Sequence, residues 1–405
     1  MPVLAQKASN SSSFSLDAQV RPRTEMRGGY RTPLLEGQHA AVLTDQRTRL
    51  GVRYADTGFE LRVNFQDVRV WGASPTMTTG GMEPSSGQVN LGLVEAWASV
   101  NLGQSWKLTA GRQIISLDNE RYFGTVGWAQ TGRVHDALML RKSDDSSPWK
   151  WTLGGSYGQQ QAVLIDQPFA LPGAYKALAL AHGAYEPQDG VSRISGLLTS
   201  VQRTASPHRF EHTAGLTYSK KAPWSLVLEG YVQSAGAGAG TGYLLAGSLS
   251  TKTGRHQWTI GTDWLSGDQE NTVAFSPSFG TNHRYYGLMD YFYAGSGHGS
   301  VGLMDHFVKW ASTFGDGNTA KHSLTAHYFV KGDASEMLGW ELDWALSKPL
   351  HPGVTFSCGA SVLDGTGDLL ELKGWTEDLV AEGTGIQSWG WIMLSVNPTL
   401  FSQSK

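Results

Sequence analysis

Arginine recurs at alternate positions near the start of the chain, in a pattern that could bind carboxylates. In residues 14–27 every second position is apolar or neutral, while the positions between them include Arg21, Arg23 and Arg27. Residues 45–54 and 59–66 continue the alternation, so that seven arginines fall on one face of the three segments. A guanidinium group presents a planar fork of N–H donors that matches a carboxylate. The pattern predicts an anion-binding surface with an apolar surface behind it.

A period of two residues indicates β-strands, and a charged interior behind an apolar exterior is typical of a membrane barrel. Composition agrees, because only 17% of the residues are charged, whereas about 25% is usual for soluble globular proteins. The sequence has no run of about 18 apolar residues that could form a transmembrane helix. If the chain spans a membrane, it does so as strands.

The whole chain can be divided into about eighteen segments with this alternation, each long enough to cross a bilayer at a tilt. After the first three, they begin near Val89, Trp106, Val134, Lys150, Tyr175, Val191, Phe210, Trp224, Gly242, Arg255, Val301, Lys321, Leu338, Val354 and Gly385. Long connections follow odd-numbered segments, and short ones rich in Gly, Pro and Asp lie between them. We predict an all-β fold, a transmembrane antiparallel β-barrel with short periplasmic turns and long extracellular loops.

One barrel domain, residues 14–401, accounts for nearly the whole chain. Residues 1–13 are predicted to be an N-terminal periplasmic segment, and residues 402–405 a C-terminal tail. Residues 1–10 have neither the basic region nor the apolar region of a signal peptide, so export is inferred from the barrel pattern alone. The single cysteine, Cys358, excludes a disulfide framework. The predicted location is the bacterial outer membrane.

A soluble β-sandwich or propeller is the alternative fold. A soluble barrel packs its apolar face inward, and an interior that holds Arg47, Arg49 and Arg53 would then bury charges at a cost of several kcal/mol each unless they were paired. A water-filled lumen removes that cost. A propeller would also show an internal repeat of about 40 residues, and the sequence has no recurring motif.

Several short motifs occur in an order that resembles the alginate-export-like outer-membrane proteins, in the broad form common among Bacteroidetes. They cover nearly all of the chain. The matching stretches are Arg21-x-Arg23-x-Glu25-x-Arg27, residues 46–51, residues 65–72, Gly111-Arg112-Gln113, Arg121 with Trp128, Asp136-Ala137, residues 263–268, residues 280–283, residues 287–293 and Pro398-x-Leu400-Phe401.

The resemblance implies an outer-membrane barrel through which an acidic polysaccharide leaves the cell along arginines that line the pore. The positions that match the family's pore arginines are Arg21, Arg23, Arg47, Arg49, Arg53, Arg62 and Arg112. The chain is shorter than the true alginate exporters, and broad members of the family need not export alginate.

Alternation and resemblance together give the predicted pore-lining residues: Arg21, Arg23, Glu25, Arg27, Arg47, Arg49, Arg53, Arg62, Arg112, and on the facing wall Glu229 and Asp263. A basic arc opposite acidic groups would create a transverse field across the lumen. The alternative is that the arginines pair with neighbouring carboxylates and only stiffen the wall.

Residues 280–293 form the most distinctive long-loop sequence. Its aromatic and polar side chains could stack on sugar rings, and we predict sugar contacts for His283, Tyr285, Asp290 and Tyr291. The alternative is an interfacial girdle and a loop folded into the barrel. Asp263, Asp268 and Asp290 lack the spacing of an EF-hand, so no metal site is predicted.

Other functional classes find little support in the sequence. A net charge of −3 makes nucleic acid an improbable partner. The chain has neither a Gly-x-Ser-x-Gly elbow nor a His-Glu-x-x-His motif, and we predict no enzyme and no cofactor.

The predicted function is an outer-membrane channel for hydrophilic, anionic solutes, acidic saccharides among them. Its predicted partners are a lipid bilayer with lipopolysaccharide, an anionic saccharide or small anion, and a periplasmic secretion partner. A general diffusion porin and a plugged barrel that anchors a surface assembly are the alternatives.

Overall fold

The structure is a computed structural model, and it shows how the predicted segments assemble. It describes residues 12–35, 37–73, 91–103, 105–144, 146–165, 169–171, 173–203, 210–221, 223–234, 240–269, 271–292, 297–315, 317, 319–376 and 385–404. The predicted N-terminal segment, residues 1–13, lies almost entirely outside the described residues.

Antiparallel strands make up nearly all of the regular structure. In chain order they are β1 (Ser13–Gly28), β2 (Ala41–Ala55), β3 (Phe59–Val70), β4 (Leu91–Leu102), β5 (Trp106–Gln113), β6 (His135–Lys142), β7 (Trp149–Tyr157), β8 (Ala177–Tyr185), β9 (Ser192–Gln202), β10 (Phe210–Lys220), β11 (Ser225–Ser234), β12 (Thr241–Thr253), β13 (His256–Leu265), β14 (Leu303–Phe314), β15 (Ala320–Val330), β16 (Met337–His351), β17 (Val354–Gly365), β18 (Gln387–Val396) and β19 (Thr399–Ser404). Each of the predicted segments corresponds to one of these strands.

The sheet closes on itself into a barrel with eighteen strand positions. From β1 to β18 each strand pairs with its neighbour in sequence, and β1 pairs on its other edge with both β18 and β19. β18 and β19 together occupy one strand position, which is interrupted at Asn397 and Pro398 because proline has no backbone N–H to donate to the ladder. The carbonyl of Pro398 still accepts from the N–H of Ala18, at 3.1 Å. The predicted antiparallel barrel of about eighteen strands is confirmed.

The two faces of each strand differ as the alternation predicts. On β2, Arg47 is buried inside the barrel, whereas Leu50 on the opposite face is 45% exposed. On β3, Leu61 and Phe65 are exposed on the outer face, whereas Asn64 is buried. An apolar outer band favours lipid, because hydrocarbon offers no partner to polar groups.

The helical elements that the structure describes in full are short: the 3₁₀ turns Asn282–Arg284 and Gly299–Val301, and helix α1 (Gly367–Leu372). In the part of the chain that the structure describes, no helix is long and apolar enough to cross a membrane.

Two long connections fold into the lumen and pack against each other. They are the β5–β6 loop (residues 114–134) and the β13–β14 loop, described for residues 266–269, 271–292 and 297–302. The ring of Phe123 stacks on that of Phe279 with centroids 5.2 Å apart, and the N–H of Gly124 donates to the carbonyl of Phe279 at 2.8 Å. Both phenylalanines are fully buried, in a cluster that continues to inward residues of the strands such as Tyr231. The core of the molecule therefore lies inside the barrel, between the loops and the wall.

Candidate functional site

The predicted arginines of β1 and β2 form one side of the lumen, here called the basic wall (Arg21, Arg23, Arg47 and Arg49). Arg21 is buried, and its guanidinium binds the β5–β6 loop. Nη1 donates to the carbonyl of Gly127 at 2.7 Å, and Nη2 donates to those of Trp128 and Ala129 at 3.0 and 3.1 Å. Nε and Nη2 also donate to Oε1 of Gln130. Arg21 therefore supplies donors to loop carbonyls that would otherwise be buried without a hydrogen-bond partner.

Arg23 and Arg47 contact the same stretch of the loop. Nη1 of Arg23 donates to the carbonyl of Trp128 at 2.8 Å, and its guanidinium carbon lies 4.3 Å from the centroid of that indole. Nη1 of Arg47 donates to the carbonyl of Ala129 at 3.2 Å. Three arginines of the basic wall thus position one loop.

The predicted arginines fall into two groups, those with a carboxylate partner and those without one. Several form ion pairs: Arg23 with Glu25 and Asp45, Arg27 with Glu25, Arg53 with Glu60, and Arg62 with Asp17. These pairs agree with the alternative that arginines stiffen the wall. Arg21, Arg47 and Arg49, by contrast, have no described carboxylate within 4.0 Å, and Arg49 is bonded through Nε to Oε1 of Gln66 at 2.8 Å. The basic wall therefore keeps positive charge that no carboxylate matches.

Arg112 lies on the outer face of the barrel, not in the pore where the resemblance places it. On β5 the inward residues are Thr109 and Gln113, both buried. Arg112 occupies the alternate position, opposite Asp136 on β6, with Nε 3.6 Å from Oδ1 of that carboxylate. Because side chains alternate between the two faces of a strand, a difference of one position moves a residue from the inner to the outer face.

Five carboxylates line another side of the lumen, here called the acidic wall. They are Glu229 on β11, Asp263 on β13, Asp305 on β14, and Glu341 and Asp343 on β16, and all are buried. Glu229 and Asp263 were predicted to face inward, and the structure places them there. The two lumenal loops lie between these oppositely charged walls.

Backbone amides of the β13–β14 loop bind the acidic wall. The N–H of Met289 donates to Oε1 of Glu341 at 2.8 Å, and the N–H of Leu288 donates to Oδ2 of Asp343 at 3.1 Å. Gly287 has a φ of 84°, and a Cβ there would lie 2.4 Å from Oε2 of Glu341. Only glycine suits this close approach.

Arg121 of the β5–β6 loop joins this loop to the acidic wall. Its Nη1 lies 2.5 Å from Oδ2 of Asp263 and 3.0 Å from the hydroxyl of Tyr286, and its Nη2 lies 3.3 Å from Oε2 of Glu229. Its guanidinium carbon is 3.7 Å from the centroid of the Tyr285 ring. Burial alone would lower the pKa of Arg121, but the two carboxylates raise it well above its ordinary value. The residue therefore stays charged.

The predicted sugar-contact residues occupy two different environments. Tyr291 is fully buried and donates its hydroxyl to the carbonyl of Gly29 at 2.7 Å. Asp290 is buried against His283, with Oδ1 2.8 Å from Nδ1, and against Tyr30 and Arg31. Both residues join the β13–β14 loop to the β1–β2 connection and are too buried to meet a solute.

His283 and Tyr285 line a lumenal cavity of about 430 Å³ between the β13–β14 loop and strands β14–β16. His283 is stacked on Trp128, with centroids 4.7 Å apart. Arg284 and Lys309 line the same cavity and are exposed in it. The sequence prediction did not select these two cations. A signal was present for Lys309, because it shares the inward alternation of Asp305 on β14.

Backbone strain is concentrated in the two lumenal loops. Of the seven described non-glycine residues with positive φ, five lie there: Asp118, Glu120, Val126, Tyr286 and Asp290. A β-branched residue such as Val126 at a φ of 50° is an outlier. Such conformations cost about 1–3 kcal/mol each and persist only where the surroundings fix them. The loops are therefore held in shape by their contacts with the walls.

Within the described ranges, no three His, Cys, Asp or Glu side chains are grouped so that they could hold a metal ion.

Comparison with known proteins identifies similar folds. No protein-family model matches the sequence, and no curated protein does. Among solved structures, OccK9 (OpdG) of Pseudomonas aeruginosa is 13% identical with a TM-score of 0.62, over 96% of this chain and 98% of that one. OccD3 (OpdP) is 13% identical with a TM-score of 0.61, over 96% and 92%. OpdK with vanillate is 11% identical with a TM-score of 0.61, over 97% and 99%.

At these identities the likeness shows the fold. It supports an outer-membrane β-barrel and not the alginate-export family specifically. A closed barrel with an apolar outer face belongs in a bacterial outer membrane, as the sequence predicted.

Proposed function

We propose that the barrel is a channel for small hydrophilic anions, acidic saccharides among them. The observation that carries this proposal is the set of lumenal cations without a carboxylate partner. Arg21, Arg47 and Arg49 keep such charges on the basic wall, and Arg284 and Lys309 add two exposed cations across the lumen. An anion that enters could contact Arg49, Arg284 and Lys309, whereas Arg21 and Arg47 are buried and would act on it only through their charge.

Burial and pairing make the acidic wall a weaker contact for solutes. Asp263 and Glu229 share Arg121, and Asp305 and Asp343 lie beside His327. Passage through a channel requires contacts that are weak and repeated, because one deep site would trap the solute. Cations spaced along the lumen meet that requirement.

The direction of passage depends on partners. In this proposal the long-loop end faces outward, in a membrane whose outer leaflet is lipopolysaccharide. Export of a polymer would also need a periplasmic partner that delivers it.

Single-channel current across a planar bilayer tests the proposal. We expect current whose reversal potential under a salt gradient shows anion selectivity, and added oligogalacturonates should block it. Arg49→Gln should reduce selectivity because it removes an unmatched charge whose hydrogen bond is to Gln66 of β3 and not to the loop backbone. Arg112→Gln on the outer face is the matched control and should change neither property.

Cation selectivity, or insensitivity to oligogalacturonates, would contradict the proposal. A second candidate function, a barrel that anchors a surface assembly, is favoured by the packing of two loops inside the lumen. Absence of current from a barrel shown to be folded by circular dichroism would support that candidate instead.

A further inference from the structure

Polar groups without protein partners lie along one edge of the lumenal cavity of about 430 Å³. On β14 and β15, Lys309 lies directly opposite Thr325, and Ser323 follows at the next inward position. Among the described residues, none accepts from Nζ of Lys309, and the hydroxyls of Thr325 and Ser323 have no hydrogen-bond partner. Arg284 lies at the same cavity, with a 3.5 Å contact from Nη1 to the carbonyl of Asn119. Two cations and two hydroxyls therefore remain available to a ligand.

Aromatic rings supply the apolar lining of the same cavity. Trp128, Tyr285, Phe307 and Trp391 all contribute to it. Trp128 and Trp391 meet edge to face, with centroids 4.7 Å apart. The indole N–H of Trp391 has no acceptor among the described residues, although the side chain is nine-tenths buried. A ligand with a flat apolar face and polar edges would match this arrangement.

The carboxylates that line the cavity are occupied by protein donors. Both oxygens of Asp305 lie within 3.0 Å of Nδ1 of His327. Asp343 accepts from the N–H of Leu288 and from Oγ of Ser361. Asp263, the third acid at the cavity, is bonded to Arg121. The groups that remain free to bind are cations and hydroxyls, which favours an anionic ligand.

We propose that this cavity is a binding subsite for one sugar-acid unit, between the β13–β14 loop and the inner face of strands β14–β16. Its carboxylate would bind Lys309 and Arg284, its hydroxyls would bind Thr325 and Ser323, and one face of its ring would lie against the aromatic side chains. The volume falls within the range of about 300–1,000 Å³ that is usual for small-molecule sites. The inference rests on the proposed channel function and identifies a site that the solute would occupy during its passage.

Other ligands fit the cavity less completely. A neutral sugar would leave both cations unpaired, and an aromatic acid without hydroxyls would leave Thr325 and Ser323 unpaired. A simple inorganic anion would make no use of the rings. Because an unpaired polar group in a protected site lowers affinity, each omission predicts a weaker ligand.

Isothermal titration calorimetry on the intact barrel in detergent micelles tests the subsite without requiring current. We expect galacturonate to bind at least about tenfold more tightly than galactose, because hydrogen bonds to charged groups are stronger than those between neutral groups. Lys309→Met and, independently, Arg284→Met should each weaken galacturonate binding about tenfold. Lys107→Met is the matched control, since that lysine is paired with Glu60 at 3.2 Å and lies outside the cavity.

Thr325→Val separates sugar recognition from general anion binding. This nearly isosteric change should weaken galacturonate several-fold and leave benzoate binding unchanged. Equal affinities for galacturonate and galactose, or full affinity in both Lys309→Met and Arg284→Met, would overturn the subsite. If those results came with anion-selective current that oligogalacturonates block, the channel function would stand and only the subsite would fail.

Discussion

The basic and acidic walls of the lumen hold a loop in the same way but with opposite polarity. On the basic wall, guanidinium groups donate to carbonyls of the β5–β6 loop, as Arg21 does to three consecutive residues. On the acidic wall, carboxylates accept from amides of the β13–β14 loop, as Glu341 and Asp343 do. A row of like charges along a strand can therefore be a docking surface for main chain and not only a path for solutes.

The two walls differ in how their charge is balanced. Four of the five carboxylates of the acidic wall have a cationic or titratable partner, Arg121 for Glu229 and Asp263 and His327 for Asp305 and Asp343. The basic wall keeps Arg21, Arg47 and Arg49 without a carboxylate partner in the described part of the chain. Neutral carbonyls satisfy hydrogen bonds but do not cancel charge. The difference implies that the acidic wall is chiefly structural, whereas the basic wall also sets the field in the lumen.

Removing Arg121, which links the loops to the acidic wall, should lower the free energy of unfolding more than any other substitution considered. Arg121→Met leaves Glu229 and Asp263 buried without their cation, and we expect the free energy of unfolding to fall by about 3–5 kcal/mol. Urea unfolding of the refolded barrel in detergent micelles measures this. Arg112→Met, which breaks an exposed pair on the outer face, should cost less than about 1 kcal/mol. Equal losses in both variants would contradict the assigned role of Arg121.

A smaller loss should follow from weakening the basic wall without removing its charge. Lysine has no planar fork and cannot reach the several acceptors that Arg21 binds, so Arg21→Lys should cost about 2–3 kcal/mol. It should also expose the β5–β6 loop to protease, which limited trypsin digestion measures. Arg53→Lys at the exposed pair with Glu60 is the control and should leave the digestion pattern unchanged.

The β5–β6 loop has a second attachment that should be sensitive to acid. Burial alone would raise the pKa of Asp118, but hydrogen bonds from His182 and Ser195 and the charge of Arg193 lower it to about 2. The stabilisation is therefore complete above the ordinary pKa of about 4 and is lost as pH falls through about 2, with a total on the order of 2 kcal/mol. Unfolding free energies at several pH values should show this loss, and Asp118→Asn should remove that part of the pH dependence.

The smallest loss in the free energy of unfolding is expected from nearly isosteric substitutions on the acidic wall. Asp343→Asn retains one acceptor oxygen for the loop but loses its charge, and we expect a loss of about 1 kcal/mol. Ser361→Ala, which removes only a hydroxyl donor to the same carboxylate, should cost about as much. A loss from Asp343→Asn as large as that from Arg121→Met would show that the acidic wall is not balanced as described.

Much of the fold follows from local patterns in the sequence. The period of two places Arg47 inside and Leu50 outside without any knowledge of tertiary contacts. The strand count and the inward direction of Glu229 and Asp263 follow from the same rule. Arg112 was misplaced because the resemblance, and not the alternation around Thr109 and Gln113, assigned it to the pore.

The partners of the arginines could not be predicted from the sequence. Arg21 meets residues more than a hundred positions away, and nothing local indicates that a loop backbone will cross its face. Asp290 and Tyr291 look like exposed loop residues in sequence, but the fold buries them against the β1–β2 connection. Contacts between distant loops depend on how the barrel closes, which local alternation does not encode.

Anion selectivity in two double variants tests the central claim most directly. Arg284→Gln with Lys309→Gln removes two lumenal cations that lack carboxylate partners, whereas Arg53→Gln with Arg62→Gln removes two that are ion-paired. From reversal potentials under a salt gradient, we predict that the first variant loses part of its anion selectivity, the rest being set by the basic wall, and that the second stays close to wild type. Unchanged selectivity in the first variant, with a loss in the second, would contradict the account.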